Sequence, residues 1–395
     1  MIMIKLLLLT IAICTTTMAE ESGGGHGGLQ TIAETTGQFG NNFLKVVAND
    51  NHGNLITSSL SAQVVLAMAA YGAGGTTASQ MRSALFIPSD NELAQSGYQS
   101  MIESLNSVRG VDLRLANKIF TASQFVVKPR YKELTAGKFL SASQELDFNS
   151  PAAAATTINT WCAQQTNNRI KDVISPGTDT KLVLVNAVYF KGKWKNEFNP
   201  LLTEDRPFHI DETTTRSIPT MYIKSEFRFG DLPQLEARFI EIPYQGDELS
   251  MIIILPHEIN GIRRVLDNLS RVNLLESLKH TYLREIKLFL PKFKIESTLK
   301  LQKTLEKLGM TDMFTNHANF SGIADTPLKV SKVIQKAFIE VNEEGSEATA
   351  VTGHAISFHR PPPIFRVDRP YHYAIYHRNT GISLFTGIVE QPIVA

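Results

Sequence analysis

The sequence predicts a mixed α and β chain built on large sheets, and three observations predict it. Helical periodicity fills the first hundred residues behind a short leader. Strand-type runs dominate the second half. From about residue 30 to 395 the composition is even, with no Pro- or Ser-rich linker and no block of charge to mark a boundary, so the reading is one continuous domain.

Taken in order, Met1 to Lys5 precede a mostly apolar run from Leu6 to Cys14, and Thr17 and Ala19 supply small residues before Glu20. That is a secretory signal peptide over 1–19; its apolar run is too short to span a bilayer as a helix. Residues 20–29 read as a flexible Gly-rich leader, because glycine runs do not offset their own ordering entropy. Helices are expected over about 30–49, from Ser58 through Ala70, and over 76–84 and 91–106. Leu113 to Phe120 alternates as a half-buried strand, 151–168 reads as a helix, and Leu182 to Phe190 is a buried strand with one polar interruption at Asn186. Strands follow at Arg238–Pro243, Leu249–Leu255, Arg284–Lys294, Lys329–Val341, Tyr371–His377 and Ile382–Val389, with helices at 261–278 and 298–308. Asn379-Thr380-Gly381 joins the last two strands as a hairpin, since Asn and Gly tolerate positive φ.

Composition excludes several classes of function. Lys and Arg number 39 against 38 Asp and Glu, a net charge of +1, so nothing points to nucleic acid or an anionic membrane surface. Lys191-Gly-Lys-Trp-Lys195 interleaves bases with an aromatic ring but reads as a solvated strand end. There is no Gly-x-Ser-x-Gly elbow, no His-Glu-x-x-His, no Cys-x-x-Cys and no Walker loop; the Gly72–Thr77 stretch is a helix-to-helix turn. No catalytic, metal or cofactor site is assembled, and the scattered histidines lack ligand spacing. With Cys14 lost in the signal, Cys162 is the mature chain's single cysteine, expected as a buried inert thiol. Asn268 and Asn319 head glycosylation sequons that secretion makes usable.

The most informative stretch is Glu343 to Thr352, followed by His354 to Arg360 and then Pro361-Pro-Pro363. Were 346–352 extended, Ser346, Ala348, Ala350 and Thr352 would share one face, while Glu347, Thr349 and Val351 shared the other. The first face is small and uncharged, so it can enter a packed layer without burying a charge. The prolines read as a stiff segment leading back to the body.

The chain resembles the serpin family over roughly 30–395. The motifs that carry the resemblance are Asn54–Ser61 with Gly72–Gln80, Leu184–Trp194, Leu290–Phe293, Val341–Ala348 and Phe365–Tyr371. Two departures stand out: Ser59 occupies a position where the family commonly has proline, and Gln335 one where many members carry histidine. An amide still donates and accepts, so an intact but pH-insensitive cluster is expected. The resemblance implies the serpin fold, with three β-sheets, about eight or nine helices and an exposed reactive-centre loop over about 343–363.

It also implies a secreted, monomeric suicide inhibitor of serine proteases that needs no cofactor and is not itself an enzyme. The protease is trapped as an acyl-enzyme when the cleaved loop enters the main sheet, a case of strand addition. The loop hinge comprises Glu343, Gly345, Ser346, Glu347, Ala348, Thr349 and Ala350; a charge at Ser346 would cost on the order of several kcal/mol to desolvate. The sheet-opening region comprises Ser61, Asn186, Trp194, Lys292 and Gln335, with Lys292 paired to Glu343 as a brake. Gly345 and Pro370 are 25 residues apart, the family's common spacing, and its usual offset puts the scissile bond at His359-Arg360. Phe358-His359 is the alternative on chemistry, because an aromatic ring fills a chymotrypsin-like pocket. The polyanion site some relatives build has no counterpart here: the helix at 76–85 has only Arg82 as a base and the next, 91–106, has none. A non-inhibitory carrier or storage serpin is the competing reading.

Overall fold

Two hydrogen-bonded sheets and the helix between them set the architecture. The computed structural model describes residues 27–175, 180–344 and 361–393. The first helix, α1 (27–50), is followed by β1 (Leu55–Thr57), α2 (Ser59–Tyr71), α3 (Gly75–Ala84), α4 (Asn91–Ser107) and β2 (Val111–Ala122). Then come α5 (Pro129–Lys138), β3 (Gln144–Leu146), α6 (Pro151–Gln165), β4 (Leu182–Gly192), β5 (Glu204–His209) and β6 (Thr215–Leu232). The second half holds β7 (Ala237–Pro243), β8 (Leu249–Pro256), α7 (Ile262–Asn268), α8 (Leu274–Lys279), β9 (Leu283–Pro291), β10 (Phe293–Lys300) and α9 (Gln302–Lys307). It closes with β11 (Lys332–Val341), β12 (Ile364–Arg366), β13 (Tyr371–His377) and β14 (Ser383–Val389).

The smaller sheet has the order β10-β11-β4-β2-β3, and the larger runs β1-β14-β13-β8-β7-β6-β9-β12 with β5 beside β6. α2 packs on β2 and β4 of one sheet and on β14 of the other. Residues 59–70 are buried all round, as an apolar helix without a polar face must be. Ser58 opens it as N-cap, its hydroxyl accepting from the Ser61 N–H. The buried apolar residues form one cluster from Ile32 to Val389.

Several expectations change in the structure. Helix is already present at Gly27, inside the stretch expected as a flexible leader. Gly28 serves close packing there: a Cβ on it would lie 2.8 Å from the Leu93 carbonyl oxygen, and one on Gly97 of α4 would lie 2.4 Å from the Gly28 oxygen. The expected three sheets appear as two hydrogen-bonded assemblies, because the 18-residue β6 pairs with β5 and β9 along most of its length and with β7 at its end. The helix expected from 298 begins at Gln302, since Phe293 to Lys300 alternates buried and exposed as an eight-residue strand. The helix expected over 261–278 breaks between α7 and α8, where Asn273 caps α8 by accepting from the Glu276 N–H. α6 stops at Gln165, ahead of Asn167 and Asn168, both left-handed at φ of 52° and 59°. The final hairpin forms as expected, with Gly381 at φ 72° and its N–H bonded to the His377 carbonyl.

Candidate functional site

β11 and β4 run parallel, from Lys332 beside Val183 to Ile339 beside Phe190, yet each is antiparallel to its other neighbour, β10 and β2. The seam between them is therefore the one place in the middle of this sheet where a strand running the opposite way would pair antiparallel on both sides. Antiparallel ladders are slightly the more stable per residue. The chain that leaves the end of β11 is the stretch singled out in the sequence.

The inner side of the seam is fastened by side-chain amides. Gln335 is fully buried; its Nε2 donates to the Ser58 carbonyl at 2.8 Å and to Asn186 Oδ1 at 2.6 Å, and its Oε1 accepts from Thr57 Oγ1 at 2.5 Å and the Ser58 N–H at 3.0 Å. Asn186 Nδ2 donates to Ser61 Oγ and, at 2.5 Å, to Asn117 Oδ1. Ser61 Oγ donates to Asn117 Oδ1 at 3.1 Å. Register explains the convergence: Asn117, Asn186 and Gln335 are direct cross-strand neighbours on β2, β4 and β11. The expected trio of Ser61, Asn186 and Gln335 is thus brought together. Asn117 was missed, although it interrupts an apolar strand face as Asn186 does. No member of the network titrates in the physiological range.

On the outer side Tyr189 and Phe338, register partners across the seam, stack at 5.5 Å between centroids. α6 covers the neighbouring strand, with Trp161 edge-on to Phe120 at 5.7 Å. Cys162 beside it is fully buried, and burial pushes its thiol up to about 12. It is an inert core group, as expected.

The exit of β11 is latched. Trp194 Nε1 donates to the Asn342 carbonyl at 2.8 Å, its backbone N–H to the Glu344 carbonyl at 3.0 Å, and the Phe198 N–H to the Glu343 carbonyl at 3.2 Å. Trp194 is held by Tyr244, stacked 4.5 Å away, and by Phe198 edge-on. Lys292 Nζ lies 2.8 Å from Glu343 Oε2, which is the expected pair, and Thr203 Oγ1 donates to Glu343 Oε1 at 2.8 Å. Burial alone would raise the Glu343 carboxyl, but hydrogen bonds from Lys292 and Thr203 and the Lys292 charge outweigh it and hold the group below its ordinary range. A second pair, Lys191 with Glu344 at 2.9 Å, was not foreseen; it raises the Lys191 ammonium. Its sequence signal was the run Lys191–Lys195, read only as a solvated edge.

The remaining hinge residues Gly345, Ser346, Glu347, Ala348, Thr349 and Ala350, and the scissile candidates Phe358, His359 and Arg360, lie outside the described residues, as does the signal peptide. Past them the chain is pinned again: the Pro363 carbonyl accepts from the Lys287 N–H, and β12 pairs in parallel with β9. Asn319 is exposed, whereas Asn268 is half-buried with its Nδ2 bonded to the Arg264 carbonyl. Among the described residues no cluster could hold a metal ion, and no helix is long and apolar enough to cross a membrane. Arg82 is engaged at home, donating to the Pro88 carbonyl and lying over the Tyr71 ring.

Comparison with known proteins agrees with this arrangement. The family model described as Serpin (serine protease inhibitor) matches residues 34–392. Among similar curated proteins, Antitrypsin of Bombyx mori is 35% identical over 88% of this chain and 90% of its own length, and Alaserpin of Manduca sexta is 36% identical over 97% and 100%. Among solved structures, Serpin48 of Tenebrio molitor superposes with a TM-score of 0.83 at 30% identity, covering 92% of this chain and 99% of that one. With an amide-fastened parallel seam at its centre and a latched strand leading out of it, the chain belongs to the serpin family.

Proposed function

We propose that this protein is a secreted suicide-substrate inhibitor of serine proteases with chymotrypsin- or elastase-like specificity. The observation that carries the reading is the parallel β4–β11 pair, which the chain leaving β11 can part by folding back between the two strands. The protease's serine oxygen attacks the carbonyl carbon at the scissile bond. The amine of the following residue departs with a proton from the protease's acid, and the new ester ties the enzyme to the loop. Insertion of 346–352, led by the small face of Ser346, Ala348 and Ala350, then carries the enzyme away before water completes the cycle. The nucleophile is the partner's, and this chain acts as substrate and trap, not as an enzyme.

His359-Arg360 ranks first as the bond cut and Phe358-His359 second. β13 and β14 are interior strands of the larger sheet, so the fragment beyond the cut stays bound until the protein is denatured. Denaturing mass spectrometry after exposure to chymotrypsin, elastase and trypsin reads the bond from the fragment's first residue; one starting at Pro361 overturns both assignments. The inhibitory reading is tested by a protease complex that survives boiling in detergent. Its competitor, a carrier or storage role, predicts cleavage without a complex and without a rise in melting temperature.

A further inference from the structure

The outer side of the seam carries a row of unmatched positive charge. Register puts Val183 of β4 beside Lys332 of β11, and Lys300 of β10 beside Ile334, all on the side of Phe338. Lys181 keeps the facing of Val183, since the chain is still paired there, its carbonyl accepting from the Ala122 N–H. Lys181, Lys332 and Lys300 therefore lie on one diagonal across three neighbouring strands, in two steps of about 8 Å between Cα atoms. None of the three ammonium groups has an ion pair or hydrogen bond among the described residues. Lys300 is exposed and the other two are half-buried, Lys332 lining a crevice with Pro151 and Ala155 of α6. Carboxylates do not offset the row. On the outer side of these strands they are Glu296, taken by Lys336 at 2.8 Å, and Glu340, at the opposite end of β11 from Lys332.

Three ammonium groups in line suit a linear polyanion, because the row spans about 16 Å, more than one small anion covers. Each surface charge is worth little by itself. A polymer of high charge density gains instead by shedding condensed counterions at every contact. A sulfated polysaccharide has that density, with several charges in each disaccharide, whereas a chain with one carboxylate per disaccharide does not. The row stands on a sheet face, so the shortage of bases on α3 and α4 does not bear on it.

We propose that Lys181, Lys332 and Lys300 bind one segment of a sulfated polysaccharide, and that the bound segment staples the seam, because Lys181 stands on one side of it and Lys332 on the other. A strand entering between β4 and β11 moves them apart by one further strand spacing, stretching the Lys181–Lys332 step to about 12 Å. A polyanion that binds the closed spacing more tightly opposes insertion by the same factor. Lys332 is the first of the ten residues of β11 and the loop leaves from the last, so the staple meets the entering strand at its final stage, with the protease already acylated. Binding stands on the row alone; the stapling rests on the loop-insertion reading above.

The test uses the mature chain with a heparin-derived hexasaccharide as probe and a hyaluronan hexasaccharide as its unsulfated counterpart, titrated by calorimetry at several salt concentrations. Saturable binding of the sulfated chain is expected, weakening as salt rises. Lys181→Gln, Lys300→Gln and Lys332→Gln should each weaken it by about threefold to fivefold and reduce the salt slope by about one. Lys287→Gln, which removes a lysine from β9 of the other sheet, should leave it unchanged. Melting curves confirm that each variant is folded. No binding at low salt, hyaluronan binding as tightly as the sulfated chain, or a Lys287→Gln loss equal to the others each overturns the row. With binding established, saturating sulfated hexasaccharide should raise the number of inhibitor molecules consumed per chymotrypsin trapped, because a stalled insertion leaves time for water to free the enzyme. The double variant Lys181→Gln with Lys332→Gln should not show this rise. An unchanged ratio in the native chain overturns the stapling. If neither chymotrypsin nor elastase forms any complex, the inhibitor reading and the stapling fail together, and the titration decides the row by itself.

Discussion

Replacing Glu343 by lysine sets two ammonium groups where the native chain has an ion pair. In the structure Glu343 accepts from Lys292 and Thr203 at 2.8 Å each, with side-chain exposures of 13% for Glu343 and 27% for Lys292. Like charges about 4 Å apart repel by roughly 4 kcal/mol at an effective dielectric constant of about 20. Both chains reach water and can swing apart, so screening reduces this to about 1–2 kcal/mol. Losing the charge-assisted bonds adds about 1–2 kcal/mol, giving about 2–4 kcal/mol in all. At about 2 cal/mol/K of unfolding entropy per residue, a domain of this length should melt about 3 to 5 °C lower. A seam released at its latch also presents strand edges to other molecules, so the variant should self-associate on mild heating. The assay is a melting curve with size-exclusion chromatography before and after incubation, and the paired change Lys292→Glu with Glu343→Lys should recover most of the loss. A single variant that melts within about a degree of the native chain and stays monomeric, or a pair that recovers nothing, refutes the latch.

Acid should act on the same carboxyl. Its pKa is lower in the folded chain than the ordinary value of 4.5, so its contribution is fully present above that value and disappears as pH falls through the folded one. The gap in melting temperature between the native chain and Glu343→Gln should therefore be constant near neutrality and close below about pH 4.5. A gap that persists in strong acid would mean the loss is one of packing and not of charge.

Other outcomes follow from the seam and its surroundings. Asn186→Ala orphans groups on Gln335, with Ser61 and Asn117 losing a partner, and should cost about 2–4 kcal/mol in equilibrium denaturation; the native network itself should add no slope to stability between pH 5.5 and 8, since none of its members titrates there. Tyr189→Ala removes the outer stack and should lower stability by about 1–3 kcal/mol while speeding complex formation, read by stopped-flow inhibition kinetics. Ser59→Pro, at the first position of α2, should raise the denaturant midpoint by an amount worth about 0.4–1 kcal/mol, because proline there is pre-shaped for a helix start. Cys162 should resist a thiol reagent in the native chain and react fully once denaturant is added; rapid native labelling would contradict its burial.

Elements whose own residues decide them were legible in the sequence. β4 was expected as Leu182–Phe190 and spans Leu182–Gly192, and β13 was expected at its observed bounds, because buried runs of branched and aromatic residues admit few alternatives. α5 was not foreseen, since among its ten residues only Tyr131 and Thr135 are buried and no apolar stripe shows. β6 was missed because Pro219 and Gly230 interrupt it; Pro219 is tolerated where pairing passes from β5 to β9, and Gly230 lies within the short ladder with β7, opposite Phe239. At the site, the resemblance located Lys292 with Glu343, but Asn117, Thr203 and the Lys191–Glu344 pair depend on register. Thr203 and Glu343 are 140 residues apart, and no local pattern encodes such a meeting.

On the loop-insertion reading, why a seam that also holds aliphatic neighbours such as Val333 beside Leu184 and Ile334 beside Val185 carries an amide cluster at its middle and an ion pair at its exit follows from what opening demands. Parting two strands bound by interdigitated branched side chains leaves voids, and each void forfeits contacts that nothing replaces until the new strand is fully seated. A hydrogen bond can change partners instead: its net worth over a bond to water or to an incoming backbone group is only about 0.5–1.5 kcal/mol. While closed, the same groups are costly to leave unmade, so Gln335, Asn186 and Asn117 hold one register and reject slipped ones. The fully buried Gln335 amide combines these properties, and replacing histidine's ring with it keeps the exchange while removing its dependence on pH. On the same proposed reading the latch at Glu343 sets when the exchange begins, since its ion pair and the three hydrogen bonds around Trp194 would have to break before the chain beyond it could turn back toward β4.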